Sequence, residues 1–472
     1  MSIGILGYGT HIPYWRLRHS TINAALGRGS GSGSRAVAGF DEDSTTMAVE
    51  AARTAISDPT RLDALFLATA APAYADKTNA TAVHAALGLA RGAIAADLNG
   101  AVRSGVAALL AGLHHPGRSL VTLADLRSGP SGSIDERTSG DGAAALVVGS
   151  GGSEPVLAEF LGSGSASAEF LDRWRAPGQP WSATWEERFG EQQYTSAATA
   201  SLENALKSTS LSAGELDRVA VAGSAPRAVK AFVKSAGFPA GVVADDLTGT
   251  IGYTGTAHLG ILLAAMLDQA QPGQTLAITV LADGADTLIF RTTEAISTHR
   301  HRRPVAEQIA RGNDSTGYLD FLTWRGAVRR AEPRRPEPDR AAAPASRRMV
   351  EWKFGFTGSR CTECGTRHLP PQRVCLRCGA TDRMRPERMA DVPATIVTFT
   401  VDHLAFSPAP PVIGAVVDFD GGGRFSCELT DLDPSAPAVG DRVEMTFRKL
   451  STTDGVHNYF WKARPISEGQ HR

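Results

Sequence analysis

The chain has 472 residues, 42% of them hydrophobic, with 48 basic and 49 acidic side chains and a formal net charge of −1. That length exceeds what one hydrophobic core organises, so two or three domains are expected, and near-neutrality excludes a global electrostatic case for nucleic acid, membrane surface or an acidic partner. The longest apolar runs, 64–71 and 143–148, fall far short of a membrane span, and the N-terminus lacks signal-peptide regions, so the expectation is a cytoplasmic protein with no membrane partner.

In chain order, the first predicted elements come twice. A helix-like stretch (MAVEAARTAI; ASLENALKST) leads to an apolar strand ending in Ala-Pro, LDALFLATAAP at 62–72 and LDRVAVAGSAP at 216–226. Asp-Leu-x-Gly follows at 97–100 and 246–249, then an Ala/Leu-rich helix (GVAALLAGL; GILLAAML), a strand (LVTLAD; LAITVLAD) and a closing DGAAALVV or DGADTLIF. Strands alternating with helices at this rhythm predict layered α/β packing with largely buried strands, and four landmarks in one order point to a duplication.

That order, together with GILGYGTHIP, FDEDSTTMAVEAA, APAYADKTNATAVHAALGL, SGDGAAALVVG and DRWRAPG, resembles the thiolase superfamily, and within it the hydroxymethylglutaryl-CoA synthase branch. The resemblance implies a duplicated five-layer αβαβα domain over 1–295, in halves of about 1–150 and 151–295. It further implies an active site between the halves, an acyl-CoA or acyl-carrier-protein substrate, and a homodimer.

From 296 to 350 the composition becomes basic (HRHRRP; RGAVRRAEPRRPEPDRAAAPASRR). Tyr318, Phe321 and Trp324 at helical spacing predict a short helix before an extended Pro/Arg tether. These arginines read either as a solvated linker or as partners for the phosphates of coenzyme A. Too few aromatics interleave with them to argue for nucleic acid.

The strongest local signal follows. Cys361, Cys364, Cys375 and Cys378 form a CxxC, ten residues, CxxC, each with a glycine after it. Two such knuckles aim four thiolates at one ion and leave no position open for water or substrate, so a structural zinc is expected, although a rubredoxin-like iron site has the same spacing. A zinc ribbon is assigned to 351–385. Short β-branched and aromatic segments with Gly/Pro/Asp turns then predict a small antiparallel barrel, an OB-fold, over 386–468. Ribbon and barrel together, with FSCELTD and GDRVEMTF, resemble the proteins that accompany thiolase-family acyl-CoA enzymes as separate subunits. Cys427 reads as a small core residue.

Hydroxymethylglutaryl-CoA synthases use a glutamate, a nucleophilic cysteine and a histidine, and this sequence departs from the pattern at each aligned position. The cysteine aligns with Val102, the histidine with Ser224, the glutamate with Asp76 and a common active-site asparagine with Tyr253. No cysteine precedes Cys361, so no shift of register restores a thiol. Ser104 is the nearest hydroxyl, without an evident base to activate it. The candidate catalytic residues are therefore Tyr253, Asp76, His258 and Ser224, groups suited to moving protons rather than to accepting an acyl group. The sequence supports aldol-type C–C bond chemistry on an acyl-CoA or acyl-carrier substrate, with coenzyme A or phosphopantetheine as the carrier. Two other readings stand beside it: a non-catalytic acyl-thioester scaffold for a ketosynthase, and an atypical hydroxymethylglutaryl-CoA synthase-like acyltransferase.

Overall fold

Nine strands of the first part of the chain join in one sheet: β1 (Ile3–His11), β2 (Ala64–Thr69), β3 (Ile94–Asn99), β4 (Ser119–Asp125), β5 (Gly142–Ser150), β6 (Ala158–Ser167), β7 (Arg218–Gly223), β8 (Thr275–Leu281) and β9 (Gly284–Thr292). Their order is β7-β8-β9-β6-β1-β5-β4-β2-β3. The computed structural model of the chain describes residues 2–466 except 153, 186, 300, 332, 334, 434 and 436. Parts of the basic tether (300, 332, 334) and the expected barrel end (467, 468) lie outside the described residues.

The duplication is visible in this order. Outward from the seam, the first half runs β1-β5-β4-β2-β3 and the second β6-β9-β8-β7, with Val219 of β7 making a further parallel bridge to Val243. In each half the two strands nearest the seam pair antiparallel and the outer ones parallel. The seam itself is the antiparallel β1–β6 contact, Gly4 opposite Glu159 and Ile5 opposite Ala158. A side chain at Gly4 would stand 2.1 Å from the Ala158 carbonyl oxygen, so the glycine allows the halves to meet.

Five helices matter here: α1 (Ser44–Ala55), α2 (Ser104–His114), α3 (Glu187–Thr209), α4 (Pro226–Ser235) and α5 (Thr256–Leu267). Every residue of α5 except Ala265 is buried, as its uniformly apolar TAHLGILLAAML demands. It packs on strands of both halves and on α2, whereas α1 packs on β1, β4 and β5, and α3 on β6, β8 and β9. The layers are thus α1, first half-sheet, α2 with α5, second half-sheet, and α3 with α4, the five-layer thiolase-like arrangement expected from sequence. A capping box opens α1, with Asp43 Oδ1 accepting from Thr46 N and Thr46 Oγ1 from Asp43 N, both at 2.9 Å.

Packing onto this unit continues beyond 295. Gln308, on a helix at Val305–Ala310, accepts from Ile12 N at 2.9 Å and donates to Thr10 Oγ1 at 2.7 Å. The expected aromatic helix spans Tyr318–Trp324; Tyr318 donates to Glu136 at 2.9 Å and Phe321 is fully buried under the Arg35 guanidinium. The first compact unit comprises Met1–Ala38, Asp43–Thr81 and Leu89–Phe321.

The second unit comprises Gly39–Glu42, Ala82–Gly88 and Leu322–Arg472. Its ribbon is a three-stranded sheet of Thr357–Cys361, Arg367–His368 and Met384–Arg388. Its barrel closes through Ala394–Asp402, Val412–Phe419, Arg424–Leu429, Val456–Pro465 and Arg442–Thr453, in that spatial order, around Phe356, Phe447 and Trp461. A charged cluster is also buried in this unit: Arg448 contacts Glu42 at 2.6 Å and Asp431 at 2.5 Å, and Lys462 contacts Asp41 at 3.0 Å.

Candidate active site

The C-terminal ends of β2, β3, β4, β7 and β8 open into a cavity of about 700 Å³ within the first unit, where ligands of α/β sheets characteristically sit. Val102, two residues before α2, lines it, as do Ser224, directly after β7, and Tyr253, in the loop before α5. The structure thus brings three of the aligned positions to one space. It does not bring Asp76, which is exposed and absent from the lining; the neighbouring Lys77 donates to Thr78 O and Thr81 Oγ1.

His258 lies inside the protein behind Tyr253. Its ring is fully buried in the first turns of α5, 5.0 Å from the tyrosine ring, and Nδ1 accepts from Thr254 N at 3.3 Å with Thr254 Oγ1 at 3.0 Å. Burial pushes its pKa down to about 4, against an opposing pull from Asp246, so it is neutral at physiological pH. From there it holds the Tyr253–Gly255 loop in shape.

Tyr253 is held at its backbone as well: its N–H donates to Thr138 O at 2.8 Å and its carbonyl accepts from Gly140 N at 3.0 Å. Burial raises its hydroxyl pKa to about 12, with the Arg127 cation as the largest opposing influence. The phenol is therefore a proton-bearing donor at neutral pH.

The chemistry-bearing groups that the sequence reading missed stand around it. Asp125, at the end of β4, is fully buried and accepts four hydrogen bonds: Oδ1 from Thr69 Oγ1 (2.9 Å) and Ala70 N (2.7 Å), Oδ2 from Thr256 N (2.7 Å) and Thr256 Oγ1 (2.8 Å). Arg127 lines the cavity with its guanidinium carbon 5.8 Å from the Tyr253 ring centroid. Arg173, in the DRWRAPG segment, also lines it and is tied to Asp135 by contacts of 2.7 and 2.6 Å. Tyr194 lines the wall and donates to Asp172 at 2.9 Å.

The lining carboxylates are Asp43 and Asp283. Asp43 is committed to the α1 cap, whereas Asp283, after β8, is exposed at the cavity with its pKa raised by partial desolvation and by Glu169. A sequence signal for Asp125 and Asp283 did exist: they end the matching LVTLAD and LAITVLAD segments.

In the second unit the sulfur atoms of Cys361, Cys364, Cys375 and Cys378 all lie within 4.8 Å of one another. Two of the separations are 3.7 Å (Cys361 to Cys378) and 3.5 Å (Cys364 to Cys375). Zinc–sulfur bonds of about 2.3 Å in a tetrahedron require sulfurs about 3.8 Å apart, so this donor set fits one zinc ion with a closed, structural shell. Cys427 sits partly buried on a barrel strand, and burial raises its thiol pKa to about 12, which keeps it unreactive.

Comparison with known proteins bears on the fold and on the C-terminal domains. The hydroxymethylglutaryl-CoA synthase of Methanopyrus kandleri is 31% identical over 330 residues, covering 65% of this chain and 92% of that one. That of Pyrococcus furiosus is 30% identical over 338 residues, covering 68% and 96%. Among solved structures, an HMG-CoA synthase complexed with CoA superposes with a TM-score of 0.59 at 19% identity, over 72% of this chain and 94% of that one. The 3-oxoacyl-(acyl carrier protein) synthase III of Pseudomonas aeruginosa gives 0.55 at 22%, over 62% and 99%. Residues 355–383 match the model for the ChsH2 rubredoxin-like zinc ribbon domain, and 387–448 the model for the ChsH2 C-terminal OB-fold domain. The chain belongs to the hydroxymethylglutaryl-CoA synthase family and carries a ChsH2-type zinc ribbon and OB-fold after its family domain.

Proposed function

We propose that this chain is an enzyme acting on acyl-CoA or acyl-carrier thioesters, making or breaking a C–C bond by aldol-type acid/base chemistry without a covalent acyl-enzyme. One observation carries the reading: the cavity at the strand ends has a valine, Val102, where an acylated cysteine would stand, and a buried proton-bearing phenol, Tyr253, on its wall. A valine has no nucleophile to offer, whereas a positioned phenol is a general acid.

In the cleavage direction a base takes the proton of a β-hydroxyl, the Cα–Cβ bond breaks to leave a carbonyl compound, and the electron pair passes to the thioester enolate. Tyr253 delivers a proton to Cα. Asp283 is the base this reading assigns, because among the cavity-lining carboxylates it is the one not committed to a helix cap, and its raised pKa strengthens it as a proton acceptor. The proton it gains returns to Tyr253 through solvent, so the cycle balances. His258 serves as a positioning residue behind the tyrosine. The ribbon and OB-fold are assigned to holding the coenzyme A or phosphopantetheine carrier.

Incubation with a panel of β-hydroxyacyl-CoA thioesters tests the reading. Release of an aldehyde or ketone with the shortened acyl-CoA is expected, reduced about 10²- to 10⁴-fold in Tyr253→Phe. Tight thioester binding with no turnover across the panel would instead indicate a scaffold.

A further inference from the structure

Arg127 is a buried cation with an unused donor. Only 8% of the residue is exposed, it lines the cavity, and its Nη2 has no hydrogen-bond partner among the described residues. Its ion pair with the nearest carboxylate is a long one, without a hydrogen bond. Asp125 Oδ2 lies 3.9 Å from Nη1, beyond hydrogen-bond reach, and both Asp125 oxygens are already filled by Thr69, Ala70 and Thr256.

The other charges near it offset its burial only in part, Asp135 attracting and Arg173 repelling it. Arg173 is a second cation, committed to Asp135, and Arg175 donates to the Ala70 carbonyl. Tyr253 offers its ring face and no charge. A buried guanidinium whose closest carboxylate stands out of hydrogen-bond reach keeps a donor that a ligand in the cavity can fill. A guanidinium matches one chemistry best, two oxygens sharing a negative charge, although a single enolate oxygen also fits its fork.

We infer that Arg127 is the receptor for an anionic oxygen of the acyl group in this cavity. The inference rests on the thioester reading above and deepens it by giving the acyl group a charge requirement. The oxygen has two possible sources, a carboxylate carried by the acyl chain or the thioester enolate formed during reaction. The positive wall of Arg127, Arg173 and Arg175 selects against purely aliphatic chains in the first case and holds the developing charge in the second.

The test compares full-length native protein with Arg127→Gln and Arg127→Lys by calorimetric binding of glutaryl-CoA and butyryl-CoA, alongside exchange of their α-protons into deuterated water. Circular dichroism and the thermal transition establish that each variant is folded. If a carboxylate is the ligand, native protein binds glutaryl-CoA at least tenfold more tightly than butyryl-CoA, and Arg127→Gln abolishes that preference while Arg127→Lys retains part of it. If the enolate is the ligand, the two affinities match, and Arg127→Gln slows α-proton exchange at least 100-fold at unchanged Kd. Should a variant fold poorly, added methylguanidinium restoring the lost preference or rate in Arg127→Ala supplies the same answer. Native-like preference and exchange in folded Arg127→Gln would overturn the inference while leaving the thioester reading intact. Absence of thioester binding by native protein would remove that reading, and Arg127 would then be judged on binding of free glutarate, for which no loss in Arg127→Gln counts against it.

Discussion

Asp125 and Thr256, 131 positions apart in the chain, are joined by two hydrogen bonds, 2.7 Å from the threonine N–H and 2.8 Å from its hydroxyl. The end of a first-half strand is thereby fixed to the start of the buried second-half helix α5, and the carboxylate sits at the positive end of that helix. The preceding Gly255 has φ of 60°, and a side chain there would meet Asp125 Oδ2 at 2.2 Å. Tyr253, two residues upstream, inherits its place on the cavity wall from this joint.

Breaking the joint is expected to cost more stability than an average buried hydrogen bond. Asp125→Ala leaves four donors unsatisfied and removes the carboxylate 3.9 Å from Arg127, a loss of about 3 to 5 kcal/mol. Gly255→Ala adds a clash and left-handed strain. Denaturant titration of the α/β unit checks both; a midpoint unchanged in either variant would contradict the role given to the joint.

His258 makes the stability of this unit depend on acid. Its pKa is about 4 in the fold against an ordinary 6.5, so the fold favours the neutral ring. The unfolded chain takes up the proton first as pH falls. Stability from this group is therefore complete above pH 6.5 and is lost as pH drops towards 4, by about 3 kcal/mol in all. Thermal melts of native protein and His258→Asn between pH 7.5 and 4.5 measure it: the native midpoint should fall more steeply with acid than that of the variant.

The setting of Val102 on the cavity wall is testable by substitution. Val102 lines the cavity close to the start of α2, a setting that lowers a thiol pKa. Val102→Cys should react with iodoacetamide several-fold faster than Cys427, whose thiol pKa is raised to about 12. Peptide mass spectrometry reads the two sites separately, and a slower Val102→Cys would mean that the cavity is closed there.

Metal removal should act locally. One zinc per chain is expected by elemental analysis, and Cys375→Ser should lose it and unfold the ribbon, because structural zinc supplies much of such a small domain's folding energy. The α/β unit has its own core and should keep its helical circular dichroism signal.

How much of this could be read in advance depended on the scale of the signal. The duplicated layers were legible because strand and helix are written in local patterns: LVTLAD and LAITVLAD occupy matching strands, and GILLAAML lies in a helix buried on nearly all sides. The four cysteines were legible because ligand spacing is local too. The polar constellation was not. Arg127 stands in a loop and Arg173 on a two-residue strand, 46 positions apart by number, and nothing local distinguishes them from solvated arginines until the fold brings them to one cavity. Arg448 shows the same limit: it interrupts a strand pattern as a surface charge would, yet it is fully buried against Glu42 and Asp431. The expectation for Asp76 came from alignment in a loop whose length and course alignment does not constrain, and the carboxylate faces solvent.

If C–C bond chemistry on the thioester proceeds without an acyl-enzyme, intact-mass spectrometry of the protein during turnover of a β-hydroxyacyl-CoA reads it from the mass of the chain itself. Carbonyl product and shortened acyl-CoA are expected to form while the chain stays at its unmodified mass, with turnover lost in Tyr253→Phe. A chain carrying a covalent acyl group, or full turnover in Tyr253→Phe, would contradict it.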